Sequence, residues 1–281
     1  MKFIHIADVH LGAVPDSDKP WAVERQREIW ESFENIINIC NKERADLLLI
    51  AGDLFHKQPK AGELKEVNYF FSKLETARVV LMAGNHDYIG PRSKYPDFEW
   101  NEKVHMFLND TIESVYFPDI DTVIYGLSYL KRDITEPLYD AVKPNQDDAI
   151  HILLAHGGDE RNIPINLKKL SEAGFDYVAL GHIHKPEIIS NKMAYSGSLE
   201  PLDKNETGPR GFILGEIRKD QGKNTDIRFI KSSLREYKTI SITVNPETTN
   251  GALVDLIKEK IAGEGPRDIY KIRIEGFRDE H

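Results

Sequence analysis

The chain has 281 residues, a formal net charge of -9 and one cysteine, Cys40. That length suits one large domain followed by a small one, while a lone cysteine excludes an intramolecular disulfide and favours a reducing compartment. No stretch approaches the roughly 20 apolar residues of a membrane helix, and the first residues lack the pattern of a signal peptide, so we expect a cytoplasmic protein without a membrane partner.

Short apolar runs alternate with helical patterns over most of the chain. The runs that predict strands are, in chain order, KFIHIA, LLLIAG, RVVLMAG, TVIYGLS, IHILLAH, YVALGH, MAYSG, FILGEI and IRFIKSS. Between the first two runs, apolar residues recur at helical spacing from Ile29 to Cys40, and Val67, Phe70 and Phe71 repeat the pattern before the third run. This alternation predicts an α/β domain over residues 1–235.

The pattern restarts in the last part of the chain. The segments YKTISITV, ALVDLIKEKIAG and YKIRIEGF predict a small β-α-β unit within residues 236–281. A unit of this size seldom covers its own sheet. We therefore expect it to be the start of a second domain, in a native chain that continues past His281.

Polar motifs follow directly after five of the predicted strands. They are Asp8-Val9-His10, Gly52-Asp53, Gly84-Asn85-His86-Asp87, His156 and Gly181-His182-Ile183-His184. Sites in α/β sheets gather at the carboxyl ends of strands, so these loops are expected to meet at one edge. A single Asp-x-His or Gly-Asp pair is common in ordinary turns, but five such motifs in order are difficult to explain as turns.

The residue types in these motifs favour metal binding. Residues two apart in an extended chain share a face, so Asp8 pairs with His10, and His182 pairs with His184. The carboxylate of Asp53 has two oxygens and can bridge two cations. Nitrogen and oxygen ligands without a thiolate favour two divalent ions, manganese first, with iron or zinc as alternatives.

The ordered motifs resemble the calcineurin-like metallophosphoesterase superfamily, whose pattern is D-x-H, GD, GNH[DE], H and GHxH. Within that superfamily, GDLFH, GNHD and SGSLEP are similar to the SbcD and meiotic recombination eleven type of DNA repair exonuclease. The resemblance covers residues 1–235 and implies a four-layer αββα sandwich, with residues 236–281 as the start of a capping domain. The loop from Glu200 to Gly211 looks more like an SbcD-like branch, which leaves substrate preference open.

The resemblance also implies how the ligands divide. One metal ion would be held by Asp8, His10, Asp53 and His184. The other would be held by Asp53, Asn85, His156 and His182. Two ions about 3.5–4 Å apart can clamp a phosphodiester and activate a water for in-line attack on phosphorus.

Further residues around the motifs have predicted roles in catalysis or substrate binding. His86 is expected to donate a proton to the leaving oxygen, with Asp87 orienting its ring. His56 is a candidate for substrate contact. Among the basic residues near the motifs, Arg92 and Arg210 are the preferred phosphate contacts, because a guanidinium group binds phosphate through two hydrogen bonds.

The function implied by the resemblance is a two-metal DNA nuclease, a 3′–5′ exonuclease with possible single-strand endonuclease activity. It would act in double-strand-break repair with an SbcC-type ATPase, which could supply the basic DNA-binding surface that this acidic chain lacks. A homodimer formed through the helices around residues 21–43 and 60–76 is also expected.

Two other functions remain open. The first is a phosphatase or small-molecule phosphodiesterase on the same dinuclear centre. Leu54-Phe55-His56 and Asp87 stand where protein phosphatases of the superfamily carry Asp-Arg and Glu, and this favours the nuclease. The second is a nonenzymatic DNA-binding scaffold, and the complete set of predicted ligands argues against it.

Overall fold

The computed structural model describes residues 1–220 and 222–277. Its helices are α1 (Ala22–Glu43), α2 (Ala61–Ser72), α3 (Leu167–Glu172) and α4 (Asn250–Glu264). Its strands are β1 (Lys2–Ile6), β2 (Leu47–Ala51), β3 (Arg78–Met82), β4 (Val104–Met106), β5 (Glu113–Phe117), β6 (Thr122–Gly126), β7 (Ile150–His156), β8 (Tyr177–Gly181), β9 (Glu187–Ser190), β10 (Met193–Tyr195), β11 (Gly211–Arg218), β12 (Asn224–Lys231), β13 (Tyr237–Val244) and β14 (Ile269–Gly276).

The strands before residue 235 form two six-stranded sheets, in the orders β12-β11-β1-β2-β3-β4 and β5-β6-β7-β8-β10-β9. In the first sheet β1 to β4 are parallel. In the second sheet β6, β7, β8 and β10 are parallel. The loops that follow these parallel strands leave from their carboxyl ends, and the motif loops are among them.

Side chains of the first sheet divide between two cores. Phe3, Leu47 and Leu49 point into the core shared with the second sheet. The alternate residues Ile4 and Leu48 pack in the other core, which also holds the buried faces of α1 and α2. Because both faces of the sheet are buried, its strands have the near-continuous apolar sequences of parallel strands in α/β domains.

The predicted sandwich is confirmed in its two sheets and in the helical layer over the first sheet. On the second sheet, the structured part of the fourth layer is the six-residue α3. Buried residues of α3 and of the long connection between β6 and β7, including Leu170, Ile134 and Tyr139, belong to the core cluster that contains the second sheet. This outer layer is therefore built mainly from irregular chain.

All of the predicted strand runs form strands, and the structure adds three that the sequence did not indicate. These are β4, β5 and β9. β4 has only three residues. β5 and β9 are edge strands whose side chains are mostly exposed or half-buried. Short or half-exposed strands carry a weak hydrophobic pattern, which explains why they were missed.

The C-terminal unit has the predicted order of strand, helix and strand. β13 and β14 are parallel and pair directly with each other, while α4 has no buried residue. Hydrogen bonds join this unit to the rest of the chain: the Tyr237 hydroxyl donates to Asp16 Oδ2 at 2.8 Å, and Arg235 Nη1 donates to the carbonyl oxygen of Arg267 at 2.7 Å. The domain boundary at residue 235 stays a prediction. Residues 278–281, including His281, lie outside the described residues.

Within the described ranges, no helix is both long and apolar enough to cross a membrane.

Candidate metal centre

The first group of predicted ligands meets at the carboxyl ends of β1 and β8. His10 Nε2 lies 3.0 Å from His184 Nε2. Ligand atoms of Asp8, His10 and His184 all lie within 4.8 Å of one another. Asp8 and His10 lie more than 170 positions before His184 in the sequence. The fold brings their carboxylate and two imidazoles to a common point.

The second group meets beside the first. Asn85 Oδ1 lies 3.0 Å from His156 Nε2 and 3.1 Å from His182 Nδ1. A ligand oxygen therefore faces two imidazole nitrogens. Asn85 and His156 are almost completely buried, so the polar atoms at this point are largely shielded from water.

Asp53 lies between the two groups. Its Oδ2 is 3.8 Å from His10 Nε2 and 3.5 Å from His156 Nε2. Its Oδ1 instead accepts the backbone N–H of His86 at 2.8 Å. One oxygen is thus used to fix the neighbouring loop, while the other faces both ligand groups in the position expected of a bridging carboxylate.

Hydrogen bonds on the far side of three histidine rings decide which nitrogen is free. His156 Nδ1 donates to the carbonyl oxygen of Ala51 at 2.8 Å. His182 Nε2 donates to Asp159 Oδ2 at 2.7 Å, and His184 Nδ1 donates to Glu206 Oε1 at 2.6 Å. Carbonyl and carboxylate oxygens only accept, so the proton of each neutral ring lies on the outer nitrogen and the lone pair faces inward.

The donor set fits two divalent cations. The inward nitrogens face one another, or the Asn85 oxygen, at 3.0–3.1 Å. Lone pairs at such distances repel each other unless a proton or a metal ion lies between them. Nitrogen and oxygen donors without sulfur suit manganese, iron or zinc, and the orienting hydrogen bonds are those that metal-binding histidines usually make.

Backbone conformation is unusual at the same positions. Asp8, His10 and Asp53 have φ of 50°, 53° and 51°, and His182 has φ of 92°. Residues other than glycine seldom adopt positive φ, and such strain gathers at functional sites. These turns direct the side chains from the strand ends into the centre.

Gly84 shows how closely the backbone approaches the ligands. A Cβ at this position would lie 2.2 Å from Asp53 Oδ1 and 2.7 Å from His156 Nε2. Any side chain would thus displace the bridging carboxylate, the histidine or the turn itself. Lack of space therefore requires glycine at this position.

Burial and mutual attraction shift the acid–base properties of the ligands. Burial raises the pKa of Asp8 to about 6. Burial acts on Asp53 in the same direction, but the neighbouring imidazoles outweigh it and hold its pKa well below the usual range. Burial lowers the pKa of His156, yet Asp53 and Asp8 outweigh burial and raise that pKa to about 9. A metal ion must displace a proton from a group whose pKa is raised, such as His156, so ion binding is coupled to pH.

His86 and His56 lie together at the edge of the centre. Their rings stack with centroids 5.3 Å apart, and each also contacts the His10 ring edge to face. His86 Nδ1 lies 3.3 Å from the carbonyl oxygen of His56, to which it can donate. The other nitrogen, Nε2, remains available, and the ring is only partly buried.

Asp87 has a different place from the predicted one. Its carboxylate accepts the backbone N–H groups of Gly84 at 2.8 Å and Phe55 at 3.2 Å, and the hydroxyl of Tyr95 at 2.7 Å. Across the described residues it makes no hydrogen bond to the His86 ring. The prediction that Asp87 orients His86 is corrected: Asp87 ties the two motif loops together.

The two predicted phosphate contacts differ. Arg210 is only 3% exposed, and its Nη1 donates to the carbonyl oxygens of Thr207 and Pro209 in its own loop at 3.1 and 3.2 Å. As placed, the buried guanidinium braces that loop and is not exposed for the predicted phosphate contact. Arg92 is exposed, and its phosphate contact stays a prediction.

Glu206 and Asp159 are the participants that the sequence did not indicate. Both lie in irregular segments that have no strand-end pattern, where an isolated carboxylate is unremarkable. The signal that could have indicated Asp159 is its position three residues after His156, in a Gly-Gly-Asp turn. Glu206 lies within the Glu200–Gly211 loop, which the sequence marked only as a departure from the expected pattern.

Comparisons with known proteins agree with this geometry. The family profile described as Calcineurin-like phosphoesterase matches residues 1–186. The chain is 29% identical to "Uncharacterized metallophosphoesterase YhaO" of Bacillus subtilis over 77% of this chain and 57% of that protein. It thus spans little more than half of that relative.

Two archaeal relatives carry a more specific name. "DNA double-strand break repair protein Mre11" of Methanopyrus kandleri is 25% identical over 99% of this chain and 69% of its own length. The protein of the same name from Methanocaldococcus jannaschii is 29% identical over 86% of this chain and 69% of its own length. The resemblance drawn from the ordered motifs is confirmed.

Proposed function

We propose that this chain, which belongs to the calcineurin-like phosphoesterase family, is a two-metal DNA nuclease with 3′–5′ exonuclease and single-strand endonuclease activity. The observation that carries the proposal is the inward convergence of Asp53 Oδ2, Asn85 Oδ1 and the histidine nitrogens. DNA as substrate is supported by the names of the archaeal relatives and by the GDLFH and GNHD motifs.

Asp8, His10, Asp53 and His184 would hold one divalent ion, and Asp53, Asn85, His156 and His182 the other, with manganese the preferred metal. Such ions, when bound, supply charge to polarise a phosphodiester and to make a water nucleophilic at neutral pH. The protein's part is to keep each donor in place before substrate arrives. The distal hydrogen bonds of His156, His182 and His184 serve that purpose.

His86 is the proposed general acid. Its backbone N–H donates to Asp53 Oδ1, which fixes the main chain, and its ring Nδ1 faces the His56 carbonyl oxygen. In its protonated form, Nε2 can deliver a proton to the leaving oxygen of the cleaved strand. Asp87 contributes indirectly, by tying the loop of His86 to the loop of Phe55.

The substrate approach would use exposed side chains at the edge of this centre. His56 lies against His86, while Lys57 and Arg92 are exposed and make no ion pair with the described residues. The chain as a whole is acidic, with a net charge of -9 that already includes these cations. We therefore propose an SbcC-type ATPase partner that contributes DNA-binding surface, and a role in double-strand-break repair.

Two further proposals concern the state of the protein. A homodimer through α1 and α2 remains a prediction, tested by the mass of the purified protein in solution. We propose the cytoplasm as its location, where the buried thiol of Cys40 would stay reduced.

The deciding experiment is digestion of end-labelled linear duplex and single-stranded DNA with manganese, magnesium or zinc, beside Asp53→Ala under identical conditions. We expect metal-dependent release of nucleotides by the wild type and background release by Asp53→Ala. Cleavage that is insensitive to the substitution would overturn the proposal.

The same preparation distinguishes the alternatives. Faster hydrolysis of a phosphomonoester than of DNA would indicate a phosphatase. DNA binding without hydrolysis under any of the three metals would indicate a scaffold.

A further inference from the structure

The His184 ring has a carboxylate partner outside the predicted ligand set. Glu206 Oε1 lies 2.6 Å from His184 Nδ1, and His184 Nε2 points away from it, 3.0 Å from His10 Nε2. The carboxylate can only accept, so the Nδ1 proton is held on the outer side of the ring. The inner nitrogen of His184 is thereby kept free to bind a cation.

We propose that Glu206 is a positioning residue of the metal centre, which fixes the tautomer and angle of His184 and so sets the affinity of the ion site shared with Asp8 and His10. This inference rests on the metal centre of the proposed function, and it is independent of whether DNA is the substrate.

Glu206 is itself held by its loop. Its Oε2 accepts the backbone N–H of Leu202 at 2.9 Å, and its own N–H donates to the carbonyl oxygen of Asp203 at 2.9 Å. The next residue, Thr207, pairs with Tyr237 at the start of β13. One carboxylate oxygen of Glu206 thus binds its own loop and the other binds His184. The adjacent residue, Thr207, is anchored on the C-terminal unit.

A glutamine cannot reproduce both contacts. Its single carbonyl oxygen can accept from His184 or from the Leu202 N–H, and its amide NH₂ would then face a second donor. Glu206→Gln is nearly the same size, so it removes the charge and one acceptor while leaving the space filled. It is therefore the informative substitution.

His182 offers an internal comparison. Its Nε2 donates to Asp159 Oδ2 at 2.7 Å, but the Asp159 side chain is 49% exposed whereas that of Glu206 is 19% exposed. The backbone N–H of His182 also donates to the Asp8 carboxylate at 3.0 Å. This bond holds the main chain of His182 in place without help from Asp159. The loss of Glu206 is thus expected to affect ion binding more than the loss of Asp159.

The test is calorimetric titration of the metal-free protein with Mn²⁺, without DNA. Removing the partner of a metal-binding histidine typically weakens affinity by about 10- to 100-fold. For Glu206→Gln we expect a loss of that size at one of two sites, and less than about a 3-fold change at the other. Asp203→Asn is the matched control, because it removes the same charge from the same loop, and among the described residues the Asp203 side chain hydrogen-bonds only to Asn205.

A double-mutant cycle separates positioning from general damage to the loop. If Glu206 acts through His184, Glu206→Gln should cause no further weakening in a His184→Ala background. Unchanged affinity in Glu206→Gln, equal weakening at both sites, or a full effect in the His184→Ala background would each overturn the inference. If Glu206→Gln is poorly folded, Glu206→Asp, which keeps both acceptors, is taken through the same cycle.

The outcome also separates this inference from the proposed function. A wild type that binds fewer than two ions contradicts the metal centre itself, and the inference fails with it. A wild type that binds two ions, with Glu206→Gln indistinguishable from it, overturns the role of Glu206 alone.

Discussion

The two sheets contribute different halves of the metal centre, and they fix their ligands in different ways. Asp8, His10 and Asp53 follow strands of the first sheet and lie on left-handed backbone. His156 and His184, from the second sheet, have their rings set by hydrogen bonds to Ala51 and Glu206. In the first half the main chain determines the position of the ligand, and in the second half a partner of the side chain does.

This difference leads to different sensitivities. A ligand on a strained turn is displaced when the backbone cannot keep its conformation. A ligand oriented by a distal acceptor keeps its place but loses its preferred tautomer when the acceptor is removed. His182 combines both devices, since it has positive φ and donates to Asp159.

The largest expected effect is on the chemical step. It concerns His86, which follows a strand of the first sheet but is not one of the predicted ligands. His86→Asn removes the proposed proton donor while keeping the backbone N–H that binds Asp53. We expect kcat on linear DNA to fall by roughly 100- to 10,000-fold. Ion binding, followed by Mn²⁺ titration, should remain within a few-fold of wild type. A variant with unchanged kcat would assign the proton donation to another group.

The next effect concerns the backbone of the first half. Gly84→Ala would place a Cβ 2.2 Å from Asp53 Oδ1, so we expect a loss of about 1–3 kcal/mol in the free energy of unfolding and a loss of ion binding. Gly62→Ala is the control, because a Cβ there meets nothing within 4 Å in α2. It should stabilise the protein by up to about 1 kcal/mol. Similar denaturation curves for the two variants would contradict the crowding at Gly84.

A smaller effect tests the contact between the sheets. His5 of β1 is fully buried, and its Nδ1 lies 2.9 Å from the hydroxyl of Tyr177 on β8. Burial lowers the pKa of His5 from 6.5 to about 3. Below pH 6.5 the unfolded chain therefore binds a proton that the folded chain does not, and stability falls as pH falls toward 3.

Denaturant unfolding in the presence of a chelator measures this linkage. Between pH 6.5 and pH 5, His5 should account for a loss of about 2 kcal/mol in the free energy of unfolding. His5→Gln cannot titrate, so its stability should decline less over the same interval. Parallel pH profiles for the two proteins would show that His5 is protonated in the folded state.

The smallest effect concerns the clamp between the motif loops. Tyr95→Phe removes the hydroxyl that donates to Asp87 Oδ2 in a fully buried site. We expect a loss of about 1–2 kcal/mol in the free energy of unfolding. Tyr116→Phe removes a similar bond to Asp121 from a side chain that is 52% exposed. Its effect should stay within about 0.5 kcal/mol, and equal losses in the two variants would contradict the role of burial.

Much of the fold was predictable because apolar runs reveal buried strands. The strand-end motifs also indicated the candidate ligand residues, since a side chain at the carboxyl end of a parallel strand is placed by the sheet. β4, β5 and β9 were missed because short or half-exposed strands have little hydrophobic pattern. The predicted sandwich is confirmed, but the amount of irregular chain in its fourth layer could not be predicted, because a family resemblance does not report it.

The errors at the site have one physical cause. Arg210 was predicted to bind phosphate and is buried among carbonyl oxygens of its own loop. Asp87 was predicted to orient His86 and instead accepts from Gly84, Phe55 and Tyr95. In both cases the residue type was suitable for the predicted role, but its direction depended on neighbours that no local pattern specifies.

The sequence by itself indicated the residues proposed to hold two metal ions, because each lies at or just after the end of a strand whose apolar run is visible in the chain. Only the tertiary structure decided how they are oriented. The partners that set His156, His182 and His184 are a backbone carbonyl in β2 and carboxylates in two irregular loops. Such contacts join segments far apart in sequence, and they exist only after both sheets have packed together.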